Sequence, residues 1–178
     1  MDSRESALVV LVAAAERLVR PFREAYDPAA AAGMPAHITV LYPFLAPDEI
    51  GPTVLDDLRQ CFAGFAPFDF QLTELRRFPD VAYLAPEPAE PLRDLTTAIW
   101  TRFPETPPYE GRHPDIVPHL SVAQLLEEQQ LDIVVQEIEH MSKRTLPIRT
   151  TANETVLMVK SAGAWRVHSR FPLGAGGS

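Results

Sequence analysis

Two short stretches of the chain carry one pattern: Ala36-His37-Ile38-Thr39-Val40 and Pro118-His119-Leu120-Ser121-Val122. Each is a histidine, an apolar residue, a hydroxyl residue and another apolar residue, and the two histidines stand 82 positions apart. Strand side chains alternate between faces, so His37 and Thr39 share one face while Ile38 and Val40 take the other. The second copy repeats this. Each copy offers an imidazole beside a hydroxyl, roughly 6–7 Å apart at the Cα atoms. Facing each other, the copies supply one acid, one base and two hydroxyls for an oxyanion. Two matches among five histidines arise by chance on the order of once in two hundred chains of this composition.

The remaining histidines lack the pattern. His140 has Ser142 at the second position but Lys143 at the third, and it falls on an expected helix. His113 and His168 have no hydroxyl residue two positions on, and read as a loop and a strand residue without a catalytic part.

The elements that must hold the tetrads follow from periodicity. Ala7–Val12 reads as a buried strand and residues 14–26 as a helix, with Leu18, Phe22 and Tyr26 on one side and Pro21 as an internal blemish. Residues 28–35 read as a loop leading into the His37 strand. Asp48 is a candidate N-cap for a helix near 49–63. Phe68–Leu75 and Val81–Ala85 form an expected hairpin around Phe78-Pro79-Asp80. A helix over 91–103 follows, then a long loop over 104–118, whose length marks it as a lid or rim. After the His119 strand come a helix over 127–143 and three strands, Ile148–Thr151, Thr155–Val159 and Trp165–Phe171. Short turns between neighbouring strands require antiparallel pairing, so the fold class is α+β. The reading is a single bilobal domain over 1–173 with a flexible tail at 174–178.

Composition narrows the function. The 178 residues carry a formal charge of −8, which argues against binding long duplex nucleic acid through many phosphate contacts. Cys61 is the single cysteine, so no internal disulfide forms, and the chain suits a reducing, cytoplasmic setting. The apolar run Ala7–Ala15 lacks the positive lead of a signal peptide and is too short for a membrane span. Nothing demands more than a monomer.

The paired tetrads are the signature of the two-histidine phosphoesterase superfamily, and the chain resembles its 2′-5′ RNA ligase-like, cyclic phosphodiesterase branch. Pro35-Ala-His-Ile-Thr-Val-Leu-Tyr-Pro-Phe44, Tyr83-Leu-Ala-Pro-Glu-Pro88, Val117-Pro-His-Leu-Ser-Val-Ala123 and Trp165…Phe171-Pro-Leu-Gly174 match that branch in order and spacing. The resemblance implies two antiparallel sheets lining a V-shaped groove, helices on the outer faces, and pseudo-twofold symmetry. It implies metal-free, cofactor-free chemistry on a phosphodiester beside a ribose hydroxyl, in a small nucleotide or at an RNA 3′ end.

Opening a 2′,3′-cyclic phosphate with water needs a base for the water, an acid for the leaving ribose oxygen, and donors for the non-bridging oxygens. Histidine titrates near neutrality and serves either proton-transfer role. His37 and His119 are therefore the candidate catalytic pair, with a lean to His37 as acid and His119 as base. Thr39 and Ser121 are the candidate phosphate donors. Tyr42, Tyr109 and Arg112 are candidate substrate contacts, with Phe44 a further stacking surface. One position departs from the branch: Gln124 stands where many relatives have an arginine, which weakens the case for RNA phosphates and for ligation. Arg76, Arg77, Arg112 and Lys160 are the candidates to replace that charge.

Two rival readings stand beside this one. The first is a noncatalytic nucleotide- or phosphate-binding module on the same fold. The second is a metal hydrolase using His37, His119 and Asp115, although their spacing matches no standard zinc pattern. A serine hydrolase would need a Gly-x-Ser-x-Gly elbow, and the chain has none.

Overall fold

A computed structural model describes residues 4–124 and 127–174. The strands are β1 (Glu5–Leu11), β2 (His37–Leu41), β3 (Phe68–Phe78), β4 (Val81–Glu87), β5 (Leu120–Gln124), β6 (Ile148–Ala152), β7 (Glu154–Ser161) and β8 (Ala164–Pro172). The helices are α1 (Glu16–Tyr26), α2 (Pro28–Ala31), α3 (Pro52–Ala63), α4 (Glu90–Arg102) and α5 (Glu128–Ser142). The strands form two four-stranded antiparallel sheets, ordered β2-β1-β7-β8 and β5-β4-β3-β6. The fold is α+β and bilobal, with one tetrad strand on the edge of each sheet.

The two sheets repeat one plan. In the first lobe β1 leads through α1 to β2, which pairs antiparallel with β1. In the second, β4 leads through α4 to β5, which pairs antiparallel with β4. Each connecting helix packs on the opposite lobe, α1 against β5 and α4 against β2. This exchange places both edge strands at the junction of the lobes.

Burial explains why the strands hold. β1 is central in its sheet and buried along most of its length. Leu8 and Val10 enter the main core, while Ala7 and Val9 enter a small cluster with Met34, Val156 and Met158. The main core joins Ile38, Leu84, Leu95 and Leu120 from both lobes. The β7–β8 turn places Ala162 and Gly163 at φ 50° and 75°, and this left-handed pair is the kind favoured by two-residue hairpins.

Several expectations need correction. Residues 28–35 are not wholly loop: Pro28–Ala31 form a helical turn capped by Asp27, whose Oδ1 accepts the Ala29 N–H at 2.9 Å. Asp48 does not cap a helix at 49. It lies in a 3-10 turn, Pro47–Glu49, and α3 begins at Pro52, whose missing N–H is harmless in a first turn. Pro21 sits inside α1 without ending it. β3 and β4 run longer than the alternation suggested. Positions 175–178 of the expected tail lie outside the described residues. Among those described, no helix is long and apolar enough to cross a membrane.

Candidate active site

The two tetrads have the same backbone construction. In the first, Val9 faces Thr39 and Leu8 faces Leu41, so Val40 is an extra residue in the edge strand. In the second, Tyr83 faces Ser121 and Ala82 faces Ala123, so Val122 is the extra residue. A bulge of this kind shifts the alternation by one. It keeps histidine and hydroxyl on the groove face, then returns the third residue after each hydroxyl to that face as well. Those residues, Tyr42 and Gln124, both line the cleft.

The imidazoles are anchored alike. His37 Nδ1 lies 2.8 Å from the Pro35 carbonyl oxygen, and His119 Nδ1 lies 2.7 Å from that of Val117. A carbonyl can only accept, so each Nδ1 carries the proton and donates it. In each neutral ring Nε2 is then the free nitrogen, on the side away from the backbone.

His37, Thr39, His119 and Ser121 line one cavity of about 290 Å³. Burial pushes His37 down to about 4, its bond to Pro35 opposes this, and Arg23 and His119 lower it further. Burial also lowers His119 from its ordinary 6.5, against the bond to Val117 and with help from His113. The surroundings differ. His119 meets Phe78 edge-on at 5.2 Å and Tyr83 at 5.5 Å between centroids, and Tyr109 stacks on it at 6.4 Å. His37 sits beside Arg23 and Asp27.

A carboxylate holds each residue at the returning position. Tyr42 donates its hydroxyl to Glu5, and Lys160 pairs with the same carboxylate at 3.3 Å. Gln124 donates to Asp27, which also pairs with Arg23 at 3.0 Å. Burial, then the bond to Glu5, pushes the Tyr42 phenol up to about 12. The Arg23–Asp27 pair is nearly fully buried, at 3% and 1% exposure, whereas the Lys160–Glu5 pair keeps 26% and 23%.

Tyr109 comes from the long loop. Its N–H donates to the Tyr42 carbonyl at 2.6 Å, and its hydroxyl bonds with Thr39. Tyr109 and Glu110 hold φ 50° and 57°, ahead of Gly111 at 76°. Left-handed backbone at non-glycine residues costs on the order of 1 kcal/mol each, and here it turns the ring inward. Burial raises the Tyr109 phenol, so it remains a donor.

The structure thus brings the two histidines, the two hydroxyls, Tyr42, Tyr109 and Lys160 together. Arg112 pairs with Glu110 on the exposed loop and lines no part of this cavity. Arg76 and Arg77 pair with Glu74 and Asp132 at the exposed surface. Phe44 is buried in the core against Phe103. Asp115 lies in an adjoining compartment, and no group of three or more His, Cys, Asp or Glu among the described residues is placed to hold a metal. Sequence reasoning missed Glu5, Arg23 and Asp27. Asp27 did carry a signal, since an aspartate before proline is a helix start. Glu5 carried none, because strand pairing alone brings it to Tyr42 and Lys160.

Residues 11–164 match the model of the 2′-5′ RNA ligase superfamily. A Bacillus licheniformis protein with a provisional phosphoesterase name is 29% identical over 168 residues, covering 89% of this chain and 91% of its own. Among solved structures, Escherichia coli LigT complexed with 3′-AMP aligns over 96% of this chain and 98% of its own, with TM-score 0.63 and 16% identity. The same protein complexed with ATP aligns over the same shares, with TM-score 0.57 and 14% identity.

Proposed function

The chain belongs to the 2′-5′ RNA ligase superfamily, and on that premise we propose that it is a metal-independent phosphoesterase that opens 2′,3′-cyclic phosphates or related 2′-5′ linkages. The observation that carries this reading is the convergence of both imidazoles and both hydroxyls on one cavity. Each imidazole is held in the tautomer that leaves Nε2 free.

The chemistry follows from the two environments. His37 is pushed down to about 4, so it is neutral near pH 7 and serves as base. With His37 neutral, the acid's part falls to His119, which burial also shifts down from 6.5. This reverses the sequence-based lean. His37 Nε2 takes a proton from water as the water oxygen attacks phosphorus. The bond from phosphorus to one ribose oxygen breaks, and His119 protonates that oxygen. The product is a phosphomonoester beside a free hydroxyl. Thr39 and Ser121 donate to the non-bridging oxygens, and the Tyr109 phenol, bonded to Thr39, orients that hydroxyl.

The test is a panel of 2′,3′-cyclic mononucleotides and 2′-5′-linked dinucleotides, assayed with a chelator present. Wild type turns over members of the panel, and His37→Ala and His119→Ala do not, while both retain the wild-type circular dichroism spectrum. Folded variants with full activity overturn the assignment. Binding of the panel without turnover by wild type favours the noncatalytic nucleotide-binding module.

A further inference from the structure

The cleft does not end at the tetrads. Past His119 it opens into an outer compartment of about 570 Å³ that shares Tyr109, His119, Ser121 and Gln124 with the inner cavity. Its walls include Phe78, Pro79, Val81, Pro114 and Val117, and its carboxylates are Asp80 and Asp115. Among the described residues, no lysine or arginine pairs with either carboxylate.

The cations of the cleft are already engaged. Among the described residues, Lys160 is the one lysine or arginine lining either compartment, and its ammonium lies 3.3 Å from Glu5 and 5.9 Å from the centre of the Trp165 ring. Arg23, behind His37, is paired with Asp27. The position that could have carried a phosphate-binding cation holds Gln124, whose amide is also committed to Asp27. Beside the reacting phosphorus, the donors are hydroxyls and imidazoles. A single phosphodiester charge matches that set. A second phosphate in the outer compartment would meet two carboxylates and, besides the His113 and His119 imidazoles, no side chain among the described residues that could carry a positive charge.

We propose that the substrate is a phosphodiester with one negative charge and an uncharged, ring-bearing substituent seated in the outer compartment. Its form is a nucleoside 2′,3′-cyclic phosphate with a free 5′-hydroxyl, rather than a phosphorylated RNA end or a polyphosphorylated nucleotide. The apolar walls cover the ring faces of the nucleoside, and Asp80 and Asp115 accept from its N–H and O–H groups. This inference rests on the proposed phosphodiesterase activity and narrows it.

The experiment compares kcat/KM for adenosine 2′,3′-cyclic phosphate with and without a 5′-phosphate. Ionic strengths of about 0.01 M and 1 M set screening lengths near 30 Å and 3 Å. At low salt the 5′-phosphorylated compound is poorer by about tenfold or more, and the gap closes at high salt. The double variant Asp80→Asn/Asp115→Asn narrows the gap at low salt several-fold. Equal or better turnover of the 5′-phosphorylated compound, or rates for it that fall as salt rises, overturns the proposal. If neither compound is turned over, the parent activity fails, and calorimetric binding of 3′-AMP and adenosine 3′,5′-bisphosphate still tests the charge rule. Weaker binding of the bisphosphate upholds that rule. Equal or tighter binding of the bisphosphate, or binding of neither compound, overturns it.

Discussion

The two tetrads share a backbone and differ in company. Both have a bulge at their fourth residue, both anchor Nδ1 on a carbonyl two residues back, and both return the third residue after the hydroxyl to the cleft. Yet His37 lies beside a buried ion pair with aliphatic Val9 opposite its hydroxyl partner, while His119 lies among Phe78, Tyr83 and Tyr109 at the mouth of the outer compartment. The repeated scaffold sets which nitrogen is free. In the proposed mechanism, the unlike neighbours let a nearly symmetric pair take two different roles.

The most direct way to break this comparison is to remove one ring at a time. His37→Ala and His119→Ala each lower kcat/KM by about 10²–10⁴-fold. In the proposed mechanism both rings act on one phosphorus, so the double variant falls little further than the worse single one. Two losses that simply multiply would mean the imidazoles work independently.

The carboxylate stations give the next contrast. Asp27→Ala leaves the Arg23 guanidinium buried and unpaired, and lowers unfolding stability by about 3–5 kcal/mol in urea titrations. Glu5→Ala removes a partly exposed partner of both Tyr42 and Lys160, and costs less, about 1–2 kcal/mol. Equal costs would show that the two lobes are tied alike.

The hydroxyls sharpen the pair further. Thr39→Val and Ser121→Ala each lower kcat by about 10²-fold, the typical cost of one oxyanion donor. Thr39→Val also frees Tyr109, so it raises KM where Ser121→Ala does not. Steady-state kinetics on a cyclic mononucleotide separates the two.

Much of this was legible in the chain. The tetrad alternation fixed which side chains share a face, and the Phe78-Pro79-Asp80 turn marked the β3–β4 hairpin correctly. The bulges were not legible, because an extra residue in an edge strand leaves no periodic trace, and only pairing registers reveal that Tyr42 and Gln124 rejoin the cleft. Tyr109 could be named but not aimed, since its direction depends on left-handed backbone at two non-glycine residues. Lys160 could be shortlisted with three arginines, but only the β1–β7 pairing sets it beside Glu5. Arg23 was hidden among the charged positions of α1, and Asp27 was legible as a helix start but not as the partner of Arg23 and Gln124.

The central claim is that one groove holds two imidazoles whose burial favours their neutral forms. Nuclear magnetic resonance titration of the histidine Cε1–H signals, assigned by His37→Ala and His119→Ala, reads this directly. His37 titrates near 4, and burial moves His119 below 6.5. The free enzyme's kcat/KM then rises with pH as His37 loses its proton, and falls as His119 loses its own, giving an optimum on the acid side of 6.5. Both rings titrating together near 6.5, and neither shifting when 3′-AMP is added, would contradict the account.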